Sequence, residues 1–386
     1  MKMKISKLDI GKSHEDHQIV LEIILLFLLS RMSFVLIGLL FNSINHVDYN
    51  LPFLINKWDA AWYSGIINQG YMKFPNAINM PTAAQANWAF SPLYPIAVTF
   101  FKTLFFLPTN VAGPIVSNIC IVIASYYGVK YYRICRPGED YTSFLFLVFL
   151  GPYAFYFSSM YAEALFFLFI VLFLYQLKRR NYILAGVFSG LSSATRLMGV
   201  FLVFILLFEL YRAQFDEFKL THFLAFIKSL LADPSKVLSI LLCPLGAFIY
   251  MIYLYKLVGD VWASVHILRA WQDLTGASSF LEALSGKNGL SLFYVGMMVI
   301  VGIIIVISLL LNHQYDEFIL GAVIVSTHFS SVHNIARHSI GMVFAVMGLS
   351  ILINKFPKYK SILYTSLSAY EFVLVYCWYS QLNFLI

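Results

Sequence analysis

The chain has 386 residues, 60% hydrophobic and 17% aromatic, with only 12% charged. Soluble domains carry about 25% charged residues, so this composition excludes an ordinary soluble enzyme. The formal net charge of +7 is not a nucleic-acid footprint, because the basic residues lie scattered between apolar runs, the pattern that sets membrane orientation.

Apolar runs recur from residue 19 to the end. About 20 apolar residues cross a bilayer as a helix, and only helices or closed barrels span. The runs are too long and continuous for barrel strands, so the expected fold is an all-α polytopic membrane protein: one domain over 1–386, with about 11 transmembrane helices. The first run, 19–41, exceeds the signal-peptide core of about 7–15 residues and lacks a small-residue cleavage site, so it reads as a retained helix. Further spans are expected near 112–132, 141–157, 160–177, 182–195, 197–212 and 236–257. The last four lie near 289–311, 317–331, 336–353 and 361–384. The stretch 91–107 contains Pro92 and Pro95 and reads as interfacial or re-entrant.

This choice puts 17 of the 26 basic residues on one side, including Lys130, Arg133, Arg136 and Lys178, and that side is cytoplasmic. The external loop 42–110 then carries the most unusual composition, with interfacial helices expected in it. The amphipathic connector 213–235 lies on the cytoplasmic surface. Cys120, Cys135, Cys243 and Cys377 are far apart and read as packing residues.

Polar residues from distant segments gather on the non-cytoplasmic side. In "NKWDAAWYSGIINQGY" (56–71), Asp59 stands alone among aromatic residues. Trp58 and Trp62 are four apart and share a helix face, which favours the headgroup level and turns Asp59 elsewhere. Asp59 is either a base facing a cavity or a helix cap. Glu163, in "GPYAFYFSSMYAEALFFLF" (151–169), is an acid beside a span and hence a functional candidate, or else a partner for the turn at Ser158 and Ser159. Arg196, at a hairpin turn, suits phosphate recognition through its planar fork, or serves as an interhelical arginine. In "GDVWASVHILRAW" (259–271), Asp260 caps a helix on which His266 and Arg269 share a face, as candidate substrate-binding residues or as part of an ordinary interfacial helix. His328, His333 and His338 are five apart, about 500° of helical rotation, so they do not share the face that a zinc site at i, i+4 requires. Arg337 is the better candidate there, as a second cation facing phosphate.

One acid, several cations and a membrane suit glycosyl transfer from a lipid-phosphate sugar. The carboxylate takes the acceptor proton, the arginines stabilise the departing phosphate, and displacement by one base inverts the anomeric centre. A transporter or flippase for a lipid-linked or small solute is the rival reading.

The chain resembles the PIG-V family of mannosyltransferases, relatives of the enzyme that adds the second mannose to GPI-anchor precursors. The stretches that carry the resemblance are "WDAAWYSGIINQGY" (58–71), "NWAFSPLYPIAV" (87–98), "SSMYAEALFFLF" (158–169), "SSATRLMGVFL" (192–202) and "GDVWASVHILRAW" (259–271). The resemblance implies a GT-C type fold with its site on the non-cytoplasmic face. The membrane would be that of the endoplasmic reticulum in a eukaryote and the cell membrane in a prokaryote. It implies a polyprenyl- or dolichyl-phosphate mannose donor, a glycolipid or glycan acceptor, no metal or nucleotide cofactor, and room for a small membrane subunit. By that match Asp59 is the catalytic carboxylate, with Trp58, Tyr71, Pro92 and Tyr94 shaping the pocket. Glu163 and Arg196 fall in the later motifs. The chain departs from the pattern at Ser91, where many relatives carry Phe.

Overall fold

The computed structural model describes residues 2–76, 84–217, 219–268, 270, 280–285, 289–327, 335–382 and 385. Among these the chain is helical, with one isolated antiparallel bridge between Asn76 and Gln85. Helix α1 covers Lys2–Asn45, and its segment Glu15–Asn45 is apolar enough to cross a bilayer. Ile19, Ile23, Ser30, Phe34 and Phe41 are buried, at steps of four and seven. This is one stripe of a helix packed against neighbours. The opposite faces are just as apolar: Leu21, Leu25, Met32, Leu36 and Leu39 are all more than 60% exposed. So continuous an apolar face is rare on a water-soluble surface and is compatible with contact to lipid.

After α2 (Leu51–Ile55), α3 (Asp59–Gln69) and α4 (Leu93–Phe105) comes α5 (Thr109–Cys135). The segment 91–107 is thus a 13-residue helix, about 20 Å long against a hydrocarbon core of about 30 Å. Two glycines bring α5 close to its neighbours. A Cβ on Gly113 would stand 2.3 Å from Met160, and one on Gly128 would stand 2.4 Å from Phe144.

The expected continuous span 141–157 is interrupted. Helix α6 covers only Thr142–Leu150 and stops at Gly151–Pro152. The chain then passes through Tyr153 in the left-handed region (φ 69°) and a 3-10 turn at Ala154–Ser158 before α7, Glu163–Lys178. This irregular backbone is wholly buried. Its amides are met by protein: Glu371 accepts from Tyr153 N–H at 2.7 Å and Phe155 N–H at 2.8 Å, and Asn56 Oδ1 accepts from Met160 N–H at 3.0 Å. Irregular backbone within a bundle requires such partners.

Helix α8 runs Tyr182–Thr195, and α9 (Leu202–Arg212) follows a 3-10 turn at Leu197–Phe201. Then come α10 (Phe223–Leu231), α11 (Pro234–Leu242) and α12 (Leu245–Val258). The last two form one path bent by 49° at Cys243–Pro244, where proline removes a helix donor. Helices α13 (Ala263–His266), α14 (Phe280–Leu284), α15 (Leu290–Leu311) and α16 (Tyr315–Ser326) follow. The expected span 336–353 is also interrupted, into α17 (Ile335–Ile340) and α18 (Val343–Asn354), before α19 (Lys360–Tyr379).

Among the described residues, three helices are long and apolar enough to cross a membrane, and a fourth if the bent pair is one span. The buried core centres on α7, which is enclosed on nearly every side. Its two ends carry different polar groups. Glu163 begins it. Lys178 ends it, paired with Asp316 at 2.6 Å and Glu209 at 3.2 Å.

Candidate functional site

The site starts from a strained turn. Trp58 precedes α3 at φ 43°, ψ −104°, a conformation costly for a bulky side chain, about 1–3 kcal/mol. Two contacts enforce it. The Tyr161 hydroxyl accepts from Asp59 N–H at 3.0 Å and donates to the Lys57 carbonyl at 2.9 Å. The Trp58 ring packs on Trp378 at 4.7 Å, while Trp378 Nε1 donates to the Ile55 carbonyl at 3.0 Å. Trp58 and Trp62 therefore do not share a face as the spacing suggests. Trp58 lies outside the helix and packs inward, and Trp62 stacks on Phe90 at 6.0 Å.

Asp59 occupies the first helical position, and no side chain caps α3. The capping alternative is thus set aside, because the carboxylate turns to Arg337, whose Nη2 donates to Oδ2 at 3.1 Å. Oδ1 has no protein hydrogen bond among the described residues, and the side chain keeps 15% exposure.

Arg337, on α17, is 4% exposed and also lies 3.3 Å from Glu163 Oε1. The guanidinium stands over the rings of Tyr156 and Tyr161, at 5.2 and 5.4 Å from their centroids, where the ring quadrupoles favour a cation. Arg196 ends α8 and donates from Nη1 to the same Glu163 oxygen at 2.5 Å. The turn alternative for Glu163 also falls away, because Ser159 donates to the Phe155 carbonyl instead.

His338 completes the group: its Nε2 lies 2.9 Å from Arg196 Nη2. A guanidinium only donates, so Nε2 is the acceptor and the ring proton sits on Nδ1. Two carboxylates and two guanidiniums make the cluster electrically neutral. Such buried pairs stabilise little net, yet removing one member strands a charge. Glu163 Oε2 and Arg337 Nε lack a hydrogen bond among the described residues.

The structure thus joins Asp59, Glu163, Arg196 and Arg337 from four segments. Tyr94 stands behind them: its hydroxyl donates to the Gly113 carbonyl at 3.0 Å, and its ring meets Tyr63 at 5.0 Å. Pro92 begins α4. Tyr71 belongs to a second, smaller apolar cluster with Trp88 and Tyr250, its hydroxyl donating to the Phe90 carbonyl at 2.6 Å. The rings of Phe90, Tyr63 and Tyr161 link that cluster to the Asp59 turn, at 5.1 and 6.3 Å.

His266 is not brought to the cluster. It is 55% exposed and pairs with Asp260 at 2.7 Å. That hydrogen bond holds the Asp260 carboxyl below the usual range. Arg269, His328 and His333 lie outside the described residues. Among the described residues, no group of three His, Cys, Asp or Glu is set to hold a metal ion.

Sequence reasoning missed Tyr156 and Tyr161, and it missed the role of His338. Its neighbour Arg337 was the available signal, but the histidine was read only for metal spacing. No family model matches the sequence, and neither a curated protein nor a solved structure matches it.

Proposed function

We propose that the chain is a membrane glycosyltransferase that moves mannose from a polyprenyl- or dolichyl-phosphate carrier to a hydroxyl of a lipid-linked glycan or GPI-like acceptor. The observation that carries this reading is Asp59, with one carboxylate oxygen tied to Arg337 and the other open. In the proposed step, Asp59 Oδ1 takes the proton of the acceptor hydroxyl. The hydroxyl oxygen bonds to the anomeric carbon as the bond from that carbon to the phosphate oxygen breaks. The lipid phosphate leaves with one more negative charge, and the configuration inverts. Arg196, at 18% exposure against 4% for Arg337, is the more open of the two cations, and we assign it to that phosphate. Arg337 is enclosed by two carboxylates, and we assign it to orienting Asp59 rather than to the phosphate. The GT-C fold, the external position of the site and a span count near eleven belong to the same proposal.

A transporter or flippase is the second reading. The bent pair α11–α12 and the interruption between α17 and α18 favour it, since broken helices line many transport sites. Asp59→Asn separates the two. Mannose transfer by the purified variant from polyprenyl-phosphate mannose to lipid-linked acceptors is expected to fall by at least about 10²-fold, the scale of a lost general base. Unchanged transfer removes Asp59 from the base role, and solute or lipid flux without any transfer by the wild type supports the rival.

A further inference from the structure

At the end of the bundle that carries Lys178, a cavity of about 390 Å³ opens between the ends of three helices. Arg136 follows α5, Lys355 follows α18, and Lys360 begins α19. Asn354, Glu139 and Asp140 complete its polar wall. The volume falls in the range of small-ligand sites, about 300–1,000 Å³.

Most of these charges are already matched within the protein. Arg136 is buried, donating to Gln314 Oε1 at 2.6 Å and lying 3.8 Å from Glu317. Lys360 pairs with Asp140. Two groups remain. Lys355 makes no ion pair among the described residues, and Glu139 meets only the Tyr132 hydroxyl at 3.4 Å. The wall therefore offers one free cation and one nearly free carboxylate. Beside it stand Phe356 and Tyr359, 53% and 58% exposed. Exposed aromatic residues next to an apolar bundle mark headgroup depth. The apolar side of the cavity is made by Ile351 and Pro357.

We propose that this cavity binds the headgroup of a zwitterionic phospholipid carrying a primary amine, with its phosphate against Lys355 and its ammonium against Glu139. A purely anionic headgroup leaves Glu139 facing negative charge, and a quaternary ammonium cannot donate a hydrogen bond to it. The proposal is independent of the activity at Asp59.

The test is native mass spectrometry of the full chain in detergent, titrated with phosphatidylethanolamine, phosphatidylglycerol, phosphatidylcholine and the soluble glycerophosphoethanolamine. Phosphatidylethanolamine is expected to be retained best. Lys355→Ala and Glu139→Gln are each expected to weaken it about tenfold, the size of one charge-assisted hydrogen bond. Glu139→Gln should also erase the preference over phosphatidylglycerol. Both residues are exposed, so the variants keep the fold, which their thermal midpoints check. Equal retention of all three lipids, or wild-type binding by both variants, overturns the proposal. Equal binding of the soluble headgroup assigns the site to a soluble ligand and overturns the lipid.

Discussion

Arg337 Nη2 donates to Asp59 Oδ2 at 3.1 Å across 278 positions of sequence. The contact joins the turn before α3 to α17, a helix near the end of the chain. The same guanidinium reaches Glu163 at 3.3 Å, and Arg196 reaches that carboxylate from the other side. The four groups form one bridged row, so changes to them will not act independently.

The two arginines should respond differently. Arg337→Ala strands Asp59 and leaves Glu163 with Arg196 alone in a site of low exposure, and the expected cost is about 3–5 kcal/mol of stability. Arg337→Lys should recover only part of that, since one ammonium cannot reproduce the fork. Arg196→Ala is expected to spare more of the fold and to lower transfer by about 2–4 kcal/mol of transition-state stabilisation. Thermal unfolding in detergent and turnover, measured on the same samples, check this ordering. Equal midpoints for both alanine variants would contradict it.

Glu371→Ala should destabilise the bundle without touching the charge row. The carboxylate accepts the amides of Tyr153 and Phe155 in the buried interruption after α6. Leaving a buried amide unmade costs about 1–3 kcal/mol. A lowered unfolding midpoint, with transfer per folded molecule retained, is the expected result.

A third outcome concerns acid. Burial opposes ionisation of Asp140, but its hydrogen bonds from Lys360 and the Thr142 amide outweigh this and hold the carboxyl below its ordinary value. A depressed folded-state pKa adds stability that is fully present above the unfolded value, about 3.9, and is lost as pH falls through the folded one. Asp140→Asn should therefore lower stability at neutral pH, where that contribution is present, and flatten the acid limb of the stability profile below about pH 4. An unchanged acid limb would refute the assignment.

The orientation can be read by labelling. A cysteine placed at the exposed Lys73 should react with a membrane-impermeant reagent from outside the cytoplasm, and one at the exposed Asn181 should not. The reverse pattern would place the Asp59 cluster on the cytoplasmic side and exclude a lumenal or extracellular site.

Much of the helical plan was legible in the sequence. Apolar runs near 182–195 and 289–311 became helices Tyr182–Thr195 and Leu290–Leu311, because an unbroken apolar run has only one way to satisfy its backbone in lipid. The interruptions at Gly151–Pro152 and Gly341–Met342 were not read. The first is bounded by apolar residues on each side, so hydropathy alone passes straight through it; the second follows Arg337, His338 and Ser339 closely and lies inside the span expected from 336. Glu371, which makes the first interruption tolerable, lies more than 200 residues away.

Composition and periodicity were enough to establish a helical, lipid-facing chain and to single out Asp59, Glu163, Arg196 and Arg337, since isolated charges in apolar surroundings stand out by their cost. Which charge meets which was decided only by the tertiary structure. Arg337 turning to Asp59, Arg196 sharing Glu163, and His338 accepting from Arg196 are long-range pairings. The energy of such contacts depends on distance and burial, and neither is written in local sequence.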